Sequence, residues 1–148
     1  MTGNENELVI NRVFDAPREL VWKAWTDPEE MKQWSAPRGF TIPVNEGELK
    51  PGGAWCSQMR KEDGTELNLG GVYREIVPPE RLVFTHAWMD ENGKPGPETL
   101  VTVILTERGN KTEMTFHQSG FASTESREGH KGGWSECFDK LEELLAKR

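Results

Sequence analysis

The chain has 148 residues, 34% of them apolar and 29% charged, and its formal net charge is −7. This length allows one domain with a buried core. The acidic balance argues against nucleic acid and against an anionic membrane surface as partners, because both attract basic patches. No stretch approaches the roughly 20 apolar residues of a membrane span, and the polar first residues do not form a secretory signal, so we expect a cytoplasmic protein.

One strand and two short helices are predicted at the start of the chain. Residues 7–14 are rich in β-branched and apolar side chains, which is typical of a strand. Asp15 or Ala16 is expected near the cap of a first helix, with Pro17 in its first turn. Pro28 suits the first position of a second helix, which is short.

From residue 40 onward, strand patterns alternate with turn residues. Strands are predicted at residues 40–49, 54–61, 67–77, 81–89, 99–106 and 111–119. Strands that are joined by short hairpins must be antiparallel. The second half of the chain therefore predicts one antiparallel sheet.

An apolar stripe at spacings of three and four predicts a long helix over residues 123–148. The stripe consists of Trp134, Cys137, Phe138, Leu141, Leu144 and Leu145. Upstream of it lie Gly129, Gly132 and Gly133, beside His130. Each interior glycine costs a helix roughly 1 kcal/mol relative to alanine. Three of them indicate either close contact with a sheet or room for a molecule that is not protein.

The order of strand, two short helices, about six strands and one long helix predicts an α+β fold. An antiparallel sheet of this size has an apolar face to cover, and the last helix is the only long element that can cover it. No repeat or low-complexity stretch divides the chain, so we expect a single domain over residues 1–148.

Short motifs along the chain are shared with a known superfamily. They are FDAPRELVW at residues 14–22, WTDPE at 25–29, PGG at 51–53, YREI at 73–76, PERLVFT at 79–85, GF at 120–121 and GGW at 132–134, together with Trp34. With these motifs the chain resembles the START-like, or SRPBCC, superfamily. Within it the chain is most similar to the family named for the activator of a heat-shock chaperone ATPase.

The resemblance implies a helix-grip fold, in which a curved antiparallel sheet of six or seven strands wraps around the C-terminal helix. It also implies a hydrophobic pocket between sheet and helix. Related proteins bind lipids, polyketides, plant hormones or flavonoid-like molecules, and some catalyse cyclase or hydrolytic steps. The family name adds a chaperone partner and a link to the stress response. One departure is Gly47, where the family usually has an apolar residue, so we expect a weakened or bulged edge there.

A ligand site is expected between the glycine-bearing half of the last helix and the sheet. Its predicted residues are Trp34, Trp55, Met59, Tyr73, Phe84, Trp88, His117, Phe121, His130, Gly133 and Trp134. Apolar and aromatic walls with a few polar groups are typical of small-molecule sites. The alternative interpretation is that these residues only fill a core. Several tryptophans favour a partly open interior, because a buried indole N–H needs a partner.

A metal site is not expected. His86, His117 and His130 could converge on one ion, but no two of them have a ligand spacing. Cys56 and Cys137 lie far apart without a metal-ligand or redox motif and are expected to be reduced thiols. No cofactor is predicted.

No catalytic residue is assigned either. Ser119 lacks the glycines of a nucleophile elbow. An acid–base role for Tyr73, Glu75 or His117 stays open as an alternative. We therefore expect a binding or carrier protein for a small hydrophobic ligand, aromatic or lipid-like, with two alternatives. These are a cyclase- or hydrolase-type enzyme that uses the same cavity, and a co-chaperone domain that stimulates a chaperone ATPase. Whether the protein is a monomer or a homodimer is left open.

Overall fold

A computed structural model describes residues 7–147 and shows an α+β helix-grip fold. The elements are β1 (Glu7–Phe14), α1 (Arg18–Thr26), α2 (Pro28–Met31), β2 (Phe40–Gly47), β3 (Ala54–Lys61), β4 (Glu66–Val77), β5 (Arg81–Met89), β6 (Thr99–Arg108), β7 (Lys111–Ser119) and α3 (Thr124–Ala146). This order confirms the predicted fold class. Residues 1–6 and 148, which belong to the predicted domain, lie outside the described residues.

All seven strands form one antiparallel sheet in the order β1-β7-β6-β5-β4-β3-β2. Neighbours in the sheet are neighbours in the chain, except that β1 pairs with β7. β1 and β2 are therefore the two edge strands, and α1 and α2 carry the chain from one edge to the other. α3 covers one face of the sheet, which is the role that the length of this helix predicted.

The starts of the three helices follow from capping chemistry, with one correction. Asp27 caps α2 by accepting hydrogen bonds from the backbone N–H groups of its first turn, with Pro28 at the first position as predicted. Ser123 caps α3 through its side chain. The prediction for α1 was wrong by one position, because Pro17 is itself the cap residue and provides no side-chain acceptor.

The expected irregularity at Gly47 is found elsewhere in the same strand. Gly47 pairs in register with Trp55, and the register shift of β2 lies between Thr41 and Val44. Pro43 lies inside this shift, and a proline has no N–H to donate to a neighbouring strand. The bulge therefore follows the proline and not the glycine.

The sheet changes direction in the middle of β4. The register with β5 shifts between Tyr73 and Glu75. A Cβ at Gly71 would lie 2.0 Å from the Thr85 backbone oxygen, so only glycine fits there. The backbones of β4 and β5 approach closely at this point. Such a bend helps the sheet to curve around α3.

Two hydrophobic clusters divide the space between sheet and helices. The larger cluster surrounds the second half of α3 and includes the fully buried rings of Trp25, Phe116 and Phe138. The smaller one consists of Ala36, Ile42, Met59 and Leu69, at the β2–β4 end of the sheet. No helix in the described part of the chain is long and apolar enough to cross a membrane.

Candidate functional site

A cavity of about 400 Å³ lies between the first half of α3 and the sheet. The sheet contributes Trp55, Ser57, Met59, Leu67, Leu69, Tyr73, Leu82, Phe84, His86 and Trp88. α3 contributes Ser126, Gly129, His130, Gly133, Trp134 and Cys137. The remaining wall comes from α1 with Trp25, α2 with Met31, the segment before β2 with Ser35 and Pro37, and β2 with Phe40 and Asn45.

The glycines of α3 leave this space open. The lining residues of α3 fall at spacings of three and four, so they form one face of the helix. A Cβ at Gly129 would meet no atom within 4 Å, and a Cβ at Gly133 would meet only Pro37 Cγ at 3.7 Å. Neither glycine is needed for close contact with the sheet. Of the two interpretations of the glycine-bearing half, the structure therefore supports room and not tight packing.

Gly132 differs from Gly129 and Gly133, the other two glycines in this half of α3. It is exposed and does not line the cavity, and a Cβ there would also meet nothing within 4 Å. The helical period turns this residue toward solvent. It is therefore a natural reference position for substitutions at Gly133.

His130 is held by two hydrogen bonds that define its tautomer. Its Nδ1 lies 2.7 Å from the Ser126 carbonyl oxygen, and Trp88 Nε1 donates to its Nε2 at 2.9 Å. A carbonyl only accepts and an indole N–H only donates. His130 is therefore a neutral imidazole with its proton on Nδ1, and neither ring nitrogen is left for another partner.

His86 lies beside His130 without comparable partners. It is 4% exposed, and its ring lies 5.5–6.2 Å from the rings of Trp55, Trp88, His130 and Trp134. Its ring is hydrogen bonded to its own backbone and, within the described range, to no other residue. Burial, together with the proximity of His130, lowers the pKa of His86 to about 4. This histidine is therefore neutral at pH 7.

A buried polar chain fixes the rings on the far side of His86. Trp134 Nε1 donates to Gln118 Oε1 at 2.9 Å, and Gln118 Nε2 donates to Thr99 Oγ1 at 2.8 Å. Thr99 Oγ1 in turn donates to the His86 backbone oxygen at 3.1 Å. Gln118 and Thr99 are buried, so these bonds are shielded from water. They hold the Trp134 indole of α3 against strands β5, β6 and β7.

The wall of the cavity carries no formal charge. None of its residues in the described part of the chain is Asp, Glu, Lys or Arg. Burial raises the pKa of the Tyr73 phenol and raises that of the Cys137 thiol to about 12. His86 is neutral at pH 7, and His130 has the hydrogen-bond partners of a neutral imidazole. A thiol held in its protonated form is a poor nucleophile.

Eight of the eleven predicted site residues line the cavity, and three do not. Trp34 is fully buried in the core and donates from Nε1 to the Ala24 carbonyl oxygen. Phe121 is buried and packs on the His130 ring at 4.9 Å, outside the lining. His117 lies on the outer face of β7 and contacts Glu7 at 3.1 Å. Its neighbours Phe116 and Gln118 point inward, and strand alternation turns His117 outward.

The three histidines accordingly do not converge. His86 and His130 are neighbours, whereas His117 is on the opposite face of the sheet. No group of three or more potential metal ligands occurs among residues 7–147. Both cysteines are free, with Cys137 buried and Cys56 exposed.

His86 is the main residue missing from the predicted site. It alternates with Phe84 and Trp88 along β5, and that period of two places all three side chains on one face. This pattern could have identified it. Met31, Pro37 and Phe40 were also missed, and their approach to α3 depends on how the chain folds back between the end of α2 and the start of β2. No local pattern shows that.

Fold and cavity together define a START-like (SRPBCC) helix-grip domain with an internal pocket. The sequence model of the family described as "Activator of Hsp90 ATPase homolog 1-like protein" matches residues 15–146. The chain belongs to this family. No curated protein matches the chain.

Solved structures of similar proteins share the whole fold. A solution structure from Arthrobacter aurescens is 26% identical, covers 100% of this chain and 90% of its own, and has a TM-score of 0.89. A crystal structure from Chromobacterium violaceum is 28% identical, with 95% and 96% coverage and a TM-score of 0.87. A crystal structure of the AHSA1 protein from Silicibacter pomeroyi is 25% identical, with 95% and 97% coverage and a TM-score of 0.86.

Proposed function

We propose that this protein binds a small apolar molecule in the cavity beneath the first half of α3. The observation that carries the proposal is the pairing of a glycine-bearing helix face with an aromatic wall across an open volume of about 400 Å³. Small-molecule pockets usually have volumes of roughly 300–1,000 Å³. The cavity is within this range.

The composition of the wall supports an aromatic or lipid-like ligand. Trp25, Trp55, Trp88 and Trp134 all line the cavity, with Phe84 among them. Burial of apolar ligand surface contributes about 25 cal/mol for each Å² removed from water. Flat rings add stacked or edge-to-face contacts with the indoles.

An entry route lies along the glycine face of α3. Gly129 lines the cavity and is also exposed, so solvent reaches the lining at this position. Pro37, just before β2, and Phe40, the first residue of β2, form the facing side. A large side chain at position 129 or 133 would fill this region.

The experiment that tests the proposal is a fluorescence titration with N-phenyl-1-naphthylamine, an uncharged probe that becomes bright in apolar surroundings. We expect a saturable increase at one probe per chain for the wild-type protein. Gly133→Leu is expected to abolish this increase, because its side chain enters the cavity. Gly132→Leu adds the same side chain one residue away, toward solvent, and is expected to bind the probe like the wild type.

Two results would contradict the proposal. One is the absence of a saturable increase in the wild-type protein. The other is equal binding by Gly133→Leu and Gly132→Leu when both have cooperative thermal transitions. If Gly133→Leu fails to fold, Gly129→Leu provides a second cavity-filling variant, because a Cβ at Gly129 meets nothing within 4 Å.

The family description favours a second candidate, stimulation of a chaperone ATPase through the protein surface. The test is an ATPase assay with purified Hsp90 and the same two leucine variants. Stimulation that is equal for wild type, Gly133→Leu and Gly132→Leu would support a surface function that is independent of the cavity. The first proposal predicts no such stimulation.

A further inference from the structure

We propose that the cavity selects uncharged ligands that carry a hydrogen-bonding group, and that His86 receives this group. The inference rests on the proposed binding function and deepens it, since it specifies the chemical class of the ligand. It predicts that an alcohol, phenol or carbonyl compound binds, and that a carboxylate of the same shape is rejected.

Most indole N–H donors of the wall already donate to acceptors of the protein. Trp55 Nε1 donates to the Thr85 carbonyl, and Trp88 Nε1 to His130. Trp134 Nε1 donates to Gln118. Trp25 Nε1 has no partner among the described residues, but it is fully shielded. The lining indoles therefore offer ring faces to a ligand and not hydrogen bonds.

The two histidines of the wall differ in their hydrogen-bond partners. His130 uses both ring nitrogens for Ser126 and Trp88. His86 is 4% exposed, and within the described part of the chain its ring is hydrogen bonded only to its own backbone, which leaves one ring nitrogen without a partner. A neutral imidazole has one N–H donor and one acceptor nitrogen. A buried polar group without a partner is costly, so a ligand that supplies one gains affinity.

The position of His86 fits this role. Trp55 on β3 and His86 on β5 belong to the two strands that flank β4, and both residues line the cavity. The centroids of the Trp55 and His86 rings are 5.9 Å apart. A flat ligand that stacks on Trp55 would therefore bring a substituent on its edge to His86.

A charged ligand and a neutral ligand differ in the hydration that they lose when they enter the cavity. A carboxylate that enters the cavity loses its hydration and meets neither Lys nor Arg, because no lining residue in the described range is cationic. A neutral hydroxyl loses much less hydration and regains a hydrogen bond. Tyr73 and Ser57 also line the cavity, and their hydroxyls have no protein partner in the described range, so they are additional uncharged groups in the wall.

Three naphthalene derivatives of one shape test the inference by displacement of N-phenyl-1-naphthylamine at pH 7: 2-naphthol, 2-methylnaphthalene and 2-naphthoate. We expect 2-naphthoate to bind at least roughly tenfold more weakly than 2-naphthol. His86→Phe keeps an aromatic ring and is expected to weaken 2-naphthol about fivefold. The same variant should change the affinity for 2-methylnaphthalene less than twofold. His117→Phe, on the outer face, is the matched control and should bind all three compounds like the wild type.

The outcomes separate this inference from the binding proposal. If the wild-type protein binds no N-phenyl-1-naphthylamine, the binding proposal itself fails. If the probe binds but 2-naphthoate displaces it as well as 2-naphthol does, the charge selectivity is wrong. If His86→Phe weakens 2-naphthol and 2-methylnaphthalene equally, or if only Tyr73→Phe weakens 2-naphthol, the assignment of His86 is wrong.

A measurement on the wild-type protein covers the case in which His86→Phe does not fold. With ¹⁵N-labelled histidine, 2-naphthol should shift the ring ¹⁵N resonances of His86, whereas 2-methylnaphthalene should leave them nearly unchanged. Equal shifts from both compounds would overturn the assignment.

Discussion

The two halves of α3 face the same sheet with different surfaces. The second half buries Phe138, Leu141, Leu144 and Leu145, and the first two of these are completely inaccessible. The first half presents glycines, a serine and a histidine to an open cavity. The second half of the helix therefore packs into the core, and the first half lines the cavity.

This difference shows that helix formation in the first half depends on more than side-chain burial. The Ser123 cap stabilises its start, His130 bonds back to the Ser126 carbonyl, and Trp134 is bonded to Gln118 on β7. The glycines have a low helix propensity and destabilise the first half. This half is continuous with the packed half, however, and packing of the second half stabilises the whole helix. Substitutions in the two halves should accordingly affect different properties: stability in the second and ligand uptake in the first.

The largest expected effect on stability is in the packed half. Phe138→Ala should lower the free energy of unfolding by about 3–5 kcal/mol, because it leaves a cavity among fully buried rings. The Phe138 ring lies 5.2 Å from Phe116 and 5.7 Å from Trp134. Urea denaturation monitored by circular dichroism measures the change. A loss below about 1 kcal/mol would show that this half is not the anchor.

The next effect is a pH dependence that comes from the open half. The folded protein keeps the pKa of His86 near 4, compared with 6.5 in the unfolded chain. Between these values the unfolded state binds a proton that the folded state does not, so stability falls as the pH falls from 6.5 to 4. The total loss is roughly 3 kcal/mol, and it does not increase further below pH 4.

Urea titrations at pH 7 and pH 5 check this dependence. His86→Phe should remove most of the loss of stability between pH 7 and pH 5 that His86 causes. His117→Phe leaves His86 in place, so it should show the same loss as the wild type. Burial is the main cause of the shift, and the proximity of His130 adds to it. If His86→Phe has the same pH dependence as the wild type, His86 is not buried in its neutral form.

A smaller effect on stability is expected in the buried chain of hydrogen bonds that joins Trp134, Gln118 and Thr99. Gln118→Leu removes the partners of Trp134 Nε1 and of Thr99 Oγ1, and it should lower stability by about 1–3 kcal/mol. The Trp134 indole should also gain freedom, which time-resolved tryptophan anisotropy would detect. Stability within about 0.5 kcal/mol of the wild type would show that the chain of hydrogen bonds contributes little.

The smallest effect is a gain in stability. Gly129→Ala should raise the free energy of unfolding by about 0.5–1 kcal/mol, because alanine has the higher helix propensity. The added Cβ meets no atom within 4 Å. Thermal unfolding measures the gain, and Gly132→Ala is the reference on the solvent side. A clear loss of stability at position 129 would mean that the space beneath this half is smaller than described.

Periodic patterns predicted most of the fold. The alternation of side chains and the turn residues between them defined β3, β5 and β7 to the residue, and the three- and four-residue spacing defined the buried stripe of α3. Capping residues located α2 and α3. The cap of α1 was misplaced because Pro17 suits both the cap and the first turn.

The site could be predicted only in part. Residues on periodic elements, such as Trp55 and Trp88, follow from the face that they share with their neighbours. The same rule places His117 outside, so its inclusion was an error of alternation. Pro37 and Phe40 lie in and directly after the connection between α2 and β2, whose path depends on tertiary packing, and the sequence contains no period that reveals it.

Above all, we propose that a small ligand enters the cavity beneath the first half of α3. Indole N–H resonances of ¹⁵N-tryptophan-labelled protein, recorded during titration with 2-naphthol, test it most directly. We predict saturable shifts for Trp55, Trp88 and Trp134, which line the cavity, and none for Trp22, which does not. Unchanged signals for the three lining residues, or shifts that are largest at Trp22, would contradict the account.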